Sequence, residues 1–297
     1  MKPLERGFLL LTSHLGDPDR KVLTPAQLRT LAQRVREMER PANDRDLTFS
    51  DLTALGYGPE PAKRILQLLG EEDRLDYFLT RGERAGCVPI TRVSEDYPLI
   101  LRRRLGLDSP GVLWAKGDVK LLEEPNVALV GSRELREDNR RFAAEVGAQA
   151  ARQCYVLVSG NARGADKTAQ ESCLAAGGKV ISVVADELTK QPLGENILYL
   201  SEDGFEDGFS AQRALSRNRV IHGLGLKTFV AQTALQKGGT WDGTVKNLRF
   251  HWSGVYCYDD GSAGMRLLEQ MGAQLVKTED LRDFYSLHEN EYSFLDQ

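Results

Sequence analysis

Apolar runs alternate with helical stretches through the second half of the chain. From Asn126 onward, the runs NVALVG, YVLVSG and KVISVVAD are separated by DNRRFAAEVGAQAARQ and DKTAQESCLAAGG. Continuous apolar strands joined by helices of this length predict parallel pairing, with both faces of the sheet covered. Further strands are predicted in LKTFVAQT, GVYCYDD and AQLV. The sequence therefore predicts an α/β fold with a Rossmann-like, doubly wound, mostly parallel sheet, which binds ligands beyond the carboxyl ends of its strands.

A smaller helical domain is predicted before this sheet. TPAQLRTLAQRVREME opens with Thr24 as an N-cap and Pro25 at the first helical position. In LTALGYGPEPAKRIL, a turn with Gly56 and Gly58 lies between two apolar helical faces. This segment resembles a helix-hairpin-helix element, whose turn presents backbone N–H groups to a phosphate. A tight packing turn in a helical bundle is the alternative.

Length and composition agree with two globular domains. The chain has 297 residues, of which 41% are hydrophobic and 28% charged, so neither a disordered chain nor a membrane protein is indicated. We predict a helical domain over residues 1–85 and a sheet domain over residues 86–297, with residues 86–125 as a loop-rich extension. The N-terminal apolar run is too short for a signal peptide, so the expected location is the cytoplasm, without a membrane partner. A net charge of -4 argues against coating of DNA by the whole surface but allows a local basic groove.

The sequence contains no familiar cofactor, metal or catalytic motif. GxGxxG, GxSxG and GxxxxGK[ST] are all absent. The cysteines lie far apart without metal-ligand spacing and are expected to be reduced thiols. The histidines His14, His222, His251 and His288 form no known nucleophile–base spacing, and His222 is expected to be structural. We therefore expect no cofactor, no metal and no enzymatic activity.

Glycines and basic residues cluster in turns where an α/β sheet gathers its ligands. In VGSR, a glycine lets the backbone approach an anion, a serine adds a hydroxyl and an arginine adds paired donors. In LVSGNARGAD, two glycines flank an arginine, and Asp166 is expected to cap the next helix. ALSRNRVIHGLG adds two arginines around an asparagine, and KGGTWDGT adds small residues and hydroxyls. The candidate anion-binding residues are Gly131, Ser132, Arg133, Ser159, Gly160, Arg163, Gly164, Arg217, Asn218, Arg219, Lys237 and Gly239.

Each of these turns also has a simpler interpretation. A single Gly-Ser-Arg turn is often an ordinary loop. Arg217 and Arg219 are each also compatible with a surface cation or with an internal clamp on a carboxylate. The joint occurrence of the turns at one edge of the sheet favours an anion site.

The ordered set VALVGSR, VLVSGNARGAD, SRNRVIHGLG and KGGTWDGT resembles the DNA-processing protein A family, also called Smf or DprA. The resemblance extends from Asp96 to Val276, since DYPLILRRRLGLDSPGVLWAKGD is similar to that family's lead-in to the sheet. It implies a Rossmann-like domain with phosphate contacts at the arginine-containing turns, and an N-terminal domain of the sterile-alpha-motif or helix-hairpin-helix kind. The chain departs from the family at Asn161 and Ala165, where Leu and Ile are usual, and at Gln170, where His is common.

The resemblance also implies function and partners. It points to single-stranded DNA binding in recombination or in DNA uptake during natural transformation, with RecA as a partner that the protein loads. It implies a homodimer, for which GVYCYDD is either a surface strand or an inner strand. Trp241 and Phe209 are candidate platforms for base stacking, or else core residues.

A nucleotide-binding sensor or a phosphoribohydrolase of the related Rossmann-like superfamily is the alternative function. Those enzymes resemble PGGxGTxxE at the late glycine-rich motif, and GGTWDGTVKN lacks the Glu. The sequence therefore disfavours hydrolysis and leaves nucleotide binding open.

Overall fold

The computed structural model describes residues 1–38, 46–202 and 204–287. His288, one of the histidines considered above, lies outside the described residues. Within those ranges no helix is both long and apolar enough to cross a bilayer.

The chain divides into two compact units. The first contains residues 1–97 and 111–113, and the second contains residues 98–110 and 114–297. By this division residues 86–97 belong to the first unit, and the domain boundary at residue 85 stays a prediction.

The first unit is mainly helical. Two of its helices begin at threonine N-caps, since the Thr24 side chain accepts the N–H of Gln27 and the Thr48 side chain accepts the N–H of Asp51. The apolar faces of four helices meet in a core of Leu11, Leu23, Leu31, Leu52, Ala62, Ile65 and Leu68. The elements are α1 (Pro3–Thr12), α2 (Pro25–Arg36), α3 (Phe49–Ala54), α4 (Pro59–Leu69), α5 (Glu72–Arg84) and β1 (Val88–Thr91).

The turn between α3 and α4 has few donors to offer a phosphate. The N–H groups of Gly56 and Tyr57 are used inside the turn, on carbonyls of α3. Pro59 and Pro61 carry no N–H, and Glu60 adds a negative charge to the first turn of α4. The structure therefore favours the packing-turn interpretation over a phosphate-binding helix-hairpin-helix.

A mostly parallel sheet forms the second unit. Strands β2 to β9 lie in the order β2-β6-β5-β4-β3-β7-β8-β9. β2 pairs antiparallel with β6, and the pairs among β3 to β9 are all parallel. The central strands β3 and β4 are buried at every residue, as expected of strands covered on both faces. The strands are β2 (Val112–Gly117), β3 (Asn126–Val130), β4 (Val156–Ser159), β5 (Lys179–Val183), β6 (Ile197–Ser201), β7 (Lys227–Val230), β8 (Gly254–Tyr258) and β9 (Gln274–Val276).

Helices cover both faces of this sheet. α7 and α8 pack against each other on one face, and α10 packs against both α6 and α11 on the other. This is expected, because the crossovers from β3 toward β6 and from β7 toward β9 run in opposite directions, and right-handed crossovers of opposite direction place their helices on opposite faces. The helices are α6 (Leu99–Leu105), α7 (Glu137–Arg152), α8 (Ala165–Ala175), α9 (Ala211–Ser216), α10 (Asn218–Leu224), α11 (Gly238–Phe250) and α12 (Ala263–Gln270). The predicted doubly wound sheet with a smaller helical region is confirmed.

The structure differs from the sequence-based expectation for one segment and decides between two alternatives for another. Residues 86–125 are more regular than a loop-rich extension, since they contain β1, α6 and β2. The segment GVYCYDD forms β8, which lies between β7 and β9 and is therefore an inner strand.

Candidate anion-binding cleft

The candidate site lies beyond the carboxyl ends of β3 and β7. The chain runs outward from β3 through β4, β5 and β6, and returns to the other side of β3 with β7. A reversal of this kind is where doubly wound sheets form a ligand crevice. A cleft of about 730 Å³ opens there. The predicted site residues that line it are Gly131, Ser132, Arg133, Arg217, Asn218, Lys237 and Gly239.

Arg217 is the buried cation of the cleft. It is only 8% exposed, and its guanidinium packs against Gly160, donating from Nη2 to the Gly160 carbonyl at 2.9 Å. A Cβ atom at Gly160 would lie 1.6 Å from Nη1 of Arg217, so this close approach requires glycine. Nε of Arg217 is buried and has no acceptor among the described residues. Burial lowers the pKa of Arg217, and the neighbouring Asp166 carboxylate acts in the opposite direction.

Asp166 holds the turn that carries Gly160. Its carboxylate accepts the N–H groups of Gly160 at 3.1 Å and Ala162 at 3.2 Å, and lies 3.8 Å from Nη2 of Arg217. The prediction that Asp166 caps α8 is wrong, because Gly164 is the N-cap and Asp166 lies inside the first turn. Burial raises the pKa of Asp166, against the opposing effects of Arg217 and the two N–H groups.

The turn after β3 is fastened to the turn after β7 by Gln232. The Gln232 carbonyl accepts from the N–H of Ser132 at 2.9 Å and from its Oγ at 3.2 Å. The Gln232 side chain donates to the carbonyl of Glu134 at 3.0 Å and accepts the N–H of Arg136 at 2.9 Å. Sequence reasoning missed Gln232, although a polar residue two positions after a buried strand is a signal for this position. Arg133 itself is exposed and makes no hydrogen bond or ion pair within the described ranges.

The amino end of α11 forms the opposite wall. Lys237 is the N-cap and provides no side-chain cap. The N–H groups of Gly238, Gly239 and Thr240 find no acceptor among the described residues. Asn218 fixes this end, because its Nδ2 donates to the Gly239 carbonyl at 3.0 Å. The positive end of the helix dipole and its free N–H groups therefore face the cleft.

Three other predicted site residues are placed differently. Ser159 is fully buried, and its Oγ accepts from Gln170, so its hydroxyl does not face the cleft. Arg219 is an internal clamp: Nη2 lies 2.5 Å from a Glu202 carboxylate oxygen and Nε donates to the Asp108 carbonyl. Arg163 extends into solvent, 76% exposed, where it pairs with Glu134 on the rim.

Gly164 supports the cleft from behind. It has a φ of +92°, and a Cβ there would lie 2.5 Å from the carbonyl oxygens of Ser132 and Arg133. The N–H of Ala165 donates to the Ser132 carbonyl at 3.1 Å. The two glycine-rich turns are therefore in direct contact, and Gly164 is required by backbone conformation as well as by space.

The family departures have local physical explanations. Asn161 has a φ of +57°, a left-handed conformation that asparagine tolerates better than most residues, and its side chain donates to Gln191. Gln170 donates to the hydroxyls of Ser159 and Ser182 beneath the turn. Both residues thus stabilise the β4 turn without lining the cleft.

His222 lies in the buried layer near the cleft. Its Nδ1 accepts from Asn247 Nδ2 at 3.0 Å, and Nε2 has no partner among the described residues. Burial, with a smaller contribution from the Arg217 cation, lowers the pKa of His222 to about 3. The imidazole is therefore neutral and part of the packed interior.

The candidate stacking residues do not line the cleft. Trp241 is 7% exposed and belongs to the core, whereas Phe209 is 58% exposed. In the described part of the chain, no group of three or more His, Cys, Asp or Glu side chains is arranged to hold a metal ion.

Charge and donors determine what this cleft can do. Arg133, Arg217 and Lys237 contribute cations, and both carboxylates of the lining, Glu134 and Asp166, already have partners. Backbone N–H groups at a helix N-terminus together with arginines are typical of phosphate recognition. The fold and this cleft define a Rossmann-like protein with a cleft rich in positive charge and hydrogen-bond donors.

A comparison with protein families narrows this class. The chain belongs to the DNA recombination-mediator protein A family, whose model matches residues 89–286. The DNA processing protein DprA of Streptococcus pneumoniae is 32% identical over 182 residues, which are 57% of this chain and 64% of that protein. The protein Smf of Synechocystis is 26% identical over 236 residues, 73% of this chain and 57% of that protein. The chain thus spans less than two thirds of the length of either relative.

Solved structures share the fold. DNA processing protein A from Streptococcus pneumoniae superposes with a TM-score of 0.73 at 24% identity, over 97% of this chain and 100% of that one. DNA processing protein A from Helicobacter pylori, whose structure concerns its single-stranded DNA binding mode, superposes with a TM-score of 0.55 at 23% identity. That superposition covers 66% of this chain and 94% of the other.

Proposed function

We propose that the chain binds single-stranded DNA in the cleft through phosphate contacts and acts in recombination or DNA uptake. The main support is Arg217, whose guanidinium is nine-tenths buried in the lining and whose Nε has no acceptor in the described part of the chain. Donors left unpaired in a buried site are costly, and a phosphate supplies both acceptors and opposite charge. Membership of the family and the single-stranded DNA binding of the Helicobacter pylori protein support the same ligand.

The lining indicates how the strand is recognised. It contains backbone, small and basic residues, and no aromatic side chain appears among its described members. We propose contacts to phosphates through Gly131, Ser132, Arg133, Arg217 and Asn218 and through the Lys237–Gly239 end of α11. Phosphate contacts carry no base sequence, so binding with little base specificity is expected.

The proposal is tested by fluorescence anisotropy of a labelled oligo-dT strand. Arg217→Ala is compared with Arg152→Ala, which removes an exposed arginine that does not line the cleft. Arg152 is the last residue of α7. We expect Arg217→Ala to weaken binding by about ten-fold or more at low salt, and Arg152→Ala to bind like the wild type. Thermal unfolding of both variants checks that each is folded. Absence of binding by the wild type, or equal binding by folded variants, contradicts the proposal.

The volume of the cleft favours a small nucleotide as the second candidate. Small-molecule sites measure about 300–1,000 Å³, and this cleft has about 730 Å³. Its carboxylates are poorly suited to hydrolysis, because Asp166 accepts two backbone N–H groups and Glu134 pairs with Arg163. We therefore propose nucleotide binding without cleavage as this alternative. Incubation with AMP followed by product analysis tests it, and release of free base points to an enzyme instead.

Partners and organisation complete the proposal. We propose a homodimer, RecA as a protein partner, and domains at residues 1–85 and 86–297. Family resemblance supports all three. Sedimentation at several concentrations, with and without oligo-dT, measures assembly and DNA binding together. Added RecA that leaves the sedimentation of the DNA complex unchanged argues against the RecA part alone.

A further inference from the structure

The cleft has more unused donors than a phosphodiester needs. Three N–H groups at the start of α11, the exposed Arg133 guanidinium and the Lys237 amine have no acceptor in the described ranges. Arg217 adds a buried guanidinium that, within the described ranges, donates one hydrogen bond, to the Gly160 carbonyl, and lies 3.8 Å from the Asp166 carboxylate. The donors and the positive charge converge on the same small volume.

These donors approach from three directions. Arg133 belongs to the turn after β3, Arg217 to the junction of α9 and α10, and the free N–H groups to α11. An anion seated among these donors is in contact with three separate elements of the fold. A phosphodiester has two ester oxygens that must continue as chain in two directions, whereas a phosphomonoester has one.

Charge favours a phosphomonoester over a phosphodiester. A phosphomonoester has three terminal oxygens and carries about -1.5 to -2 charge at neutral pH, with a second pKa of about 6. A phosphodiester has two terminal oxygens and a single negative charge. The lining has three cations and two carboxylates, and the carboxylates already have partners. With the helix N-terminus added, a dianion satisfies more of the unused donors than a monoanion does.

We propose that the cleft is specific for a phosphomonoester, carried either by a phosphorylated end of single-stranded DNA or by a free mononucleotide. This inference rests on the proposed function, and names the part of the strand that enters the cleft. The phosphate sits between α11 and Arg217, and the rest of the strand leaves through the mouth past Arg133. Internal phosphates of the same strand bind in the cleft more weakly.

Internally labelled oligo-dT strands with a terminal phosphate or only hydroxyl ends distinguish the two modes. At about pH 7.5 the phosphorylated strand is expected to bind about ten-fold or more tightly, since each hydrogen bond to a charged group contributes appreciably. Near pH 5.5 the monoester gains a proton and the preference shrinks. dTMP displaces the phosphorylated strand, and thymidine does not.

A pair of lysine variants assigns this preference to the cleft. Lys237→Ala removes a cation from the start of α11, and Lys246→Ala removes an exposed lysine further along the same helix. We expect Lys237→Ala to reduce the preference for the phosphorylated end several-fold and Lys246→Ala to leave it unchanged. Equal effects of the two variants contradict the assignment to the cleft.

The outcomes separate this inference from the proposed function. Equal binding of both strands overturns the end preference and leaves single-stranded DNA binding intact. Binding of neither strand, with dTMP still bound, supports the phosphomonoester site and overturns DNA as its ligand. Binding of neither the strands nor dTMP overturns both.

Discussion

The guanidinium of Arg217 occupies the space that a side chain at position 160 would need. Its Nη2 donates to the Gly160 carbonyl at 2.9 Å, and a Cβ at Gly160 would lie 1.6 Å from Nη1. The two residues are 57 positions apart and come from different elements of the fold. A glycine in the β4 turn therefore sets the position of an arginine in the α9–α10 junction.

Gly160→Ala is predicted to weaken binding of oligo-dT about as much as Arg217→Ala does. The added methyl group displaces the guanidinium from the cleft. In the Arg217→Ala background the same glycine change is expected to have little further effect, since residues in contact couple by about 0.5–3 kcal/mol. Anisotropy titrations of the two single variants and the double variant measure this coupling. Additive effects contradict the packing relationship.

This relationship marks the limit of what the sequence predicts. Alternating apolar runs and helical stretches predicted the parallel sheet, and the glycine-rich turns predicted where a ligand site would form. Sequence spacing does not specify which turn packs on which. Gly160 was predicted as an anion-binding residue that flanks Arg163, whereas in the structure it makes room for Arg217.

The arginines show the same limit. Arg217 and Arg219 straddle Asn218 in the sequence and look equivalent there. One residue lines the cleft, while the other is held internally by Glu202. The difference depends on side-chain direction and on a carboxylate from a distant strand end. Gln232 was missed for a related reason, since its partners are turn backbone groups distant in sequence.

Gly164→Ala is predicted to destabilise the protein more than Gly177→Ala. Both glycines have positive φ, +92° and +76°, so both substitutions strain the backbone. A Cβ at Gly164 meets two carbonyl oxygens at 2.5 Å, whereas a Cβ at Gly177 meets nothing within 4 Å. We expect Gly164→Ala to cost about 1–3 kcal/mol more, the usual scale of overpacking. Urea denaturation of both variants gives the difference, and equal costs show that the turns do not touch as described.

Stability is predicted to fall as the pH drops below the pKa of an unfolded histidine. Burial and Arg217 lower the pKa of His222 to about 3 in the folded chain. Between about pH 6.5 and that value the unfolded state binds the extra proton, so folding loses about 1.4 kcal/mol per pH unit from this residue. His222→Gln is expected to remove this part of the pH dependence. Thermal unfolding at about pH 7.5 and pH 5 compares the wild type with this variant, and identical pH dependence in the two proteins counts against a neutral buried His222.

Salt dependence is predicted to reveal the phosphate contact of Arg133. Each phosphate neutralised on a single strand contributes about 0.7 to the slope of log K against log salt. Arg133 has no hydrogen bond or ion pair in the described part of the chain, so Arg133→Ala removes a ligand contact without breaking an internal one. We expect the slope to become shallower by about 0.7. An unchanged slope places Arg133 outside the DNA contact.

A charge-matched pair of double variants tests most directly whether the cleft is the DNA site. Arg133→Ala with Lys237→Ala removes two cations from the lining, and Arg152→Ala with Lys246→Ala removes two exposed cations outside it. Both proteins have the same net charge. In anisotropy titrations with oligo-dT at low salt, the cleft variant is predicted to lose about a hundred-fold in affinity, whereas the other stays near the wild type. Equal losses in the two proteins would show that DNA responds to overall charge, and would contradict binding in the cleft.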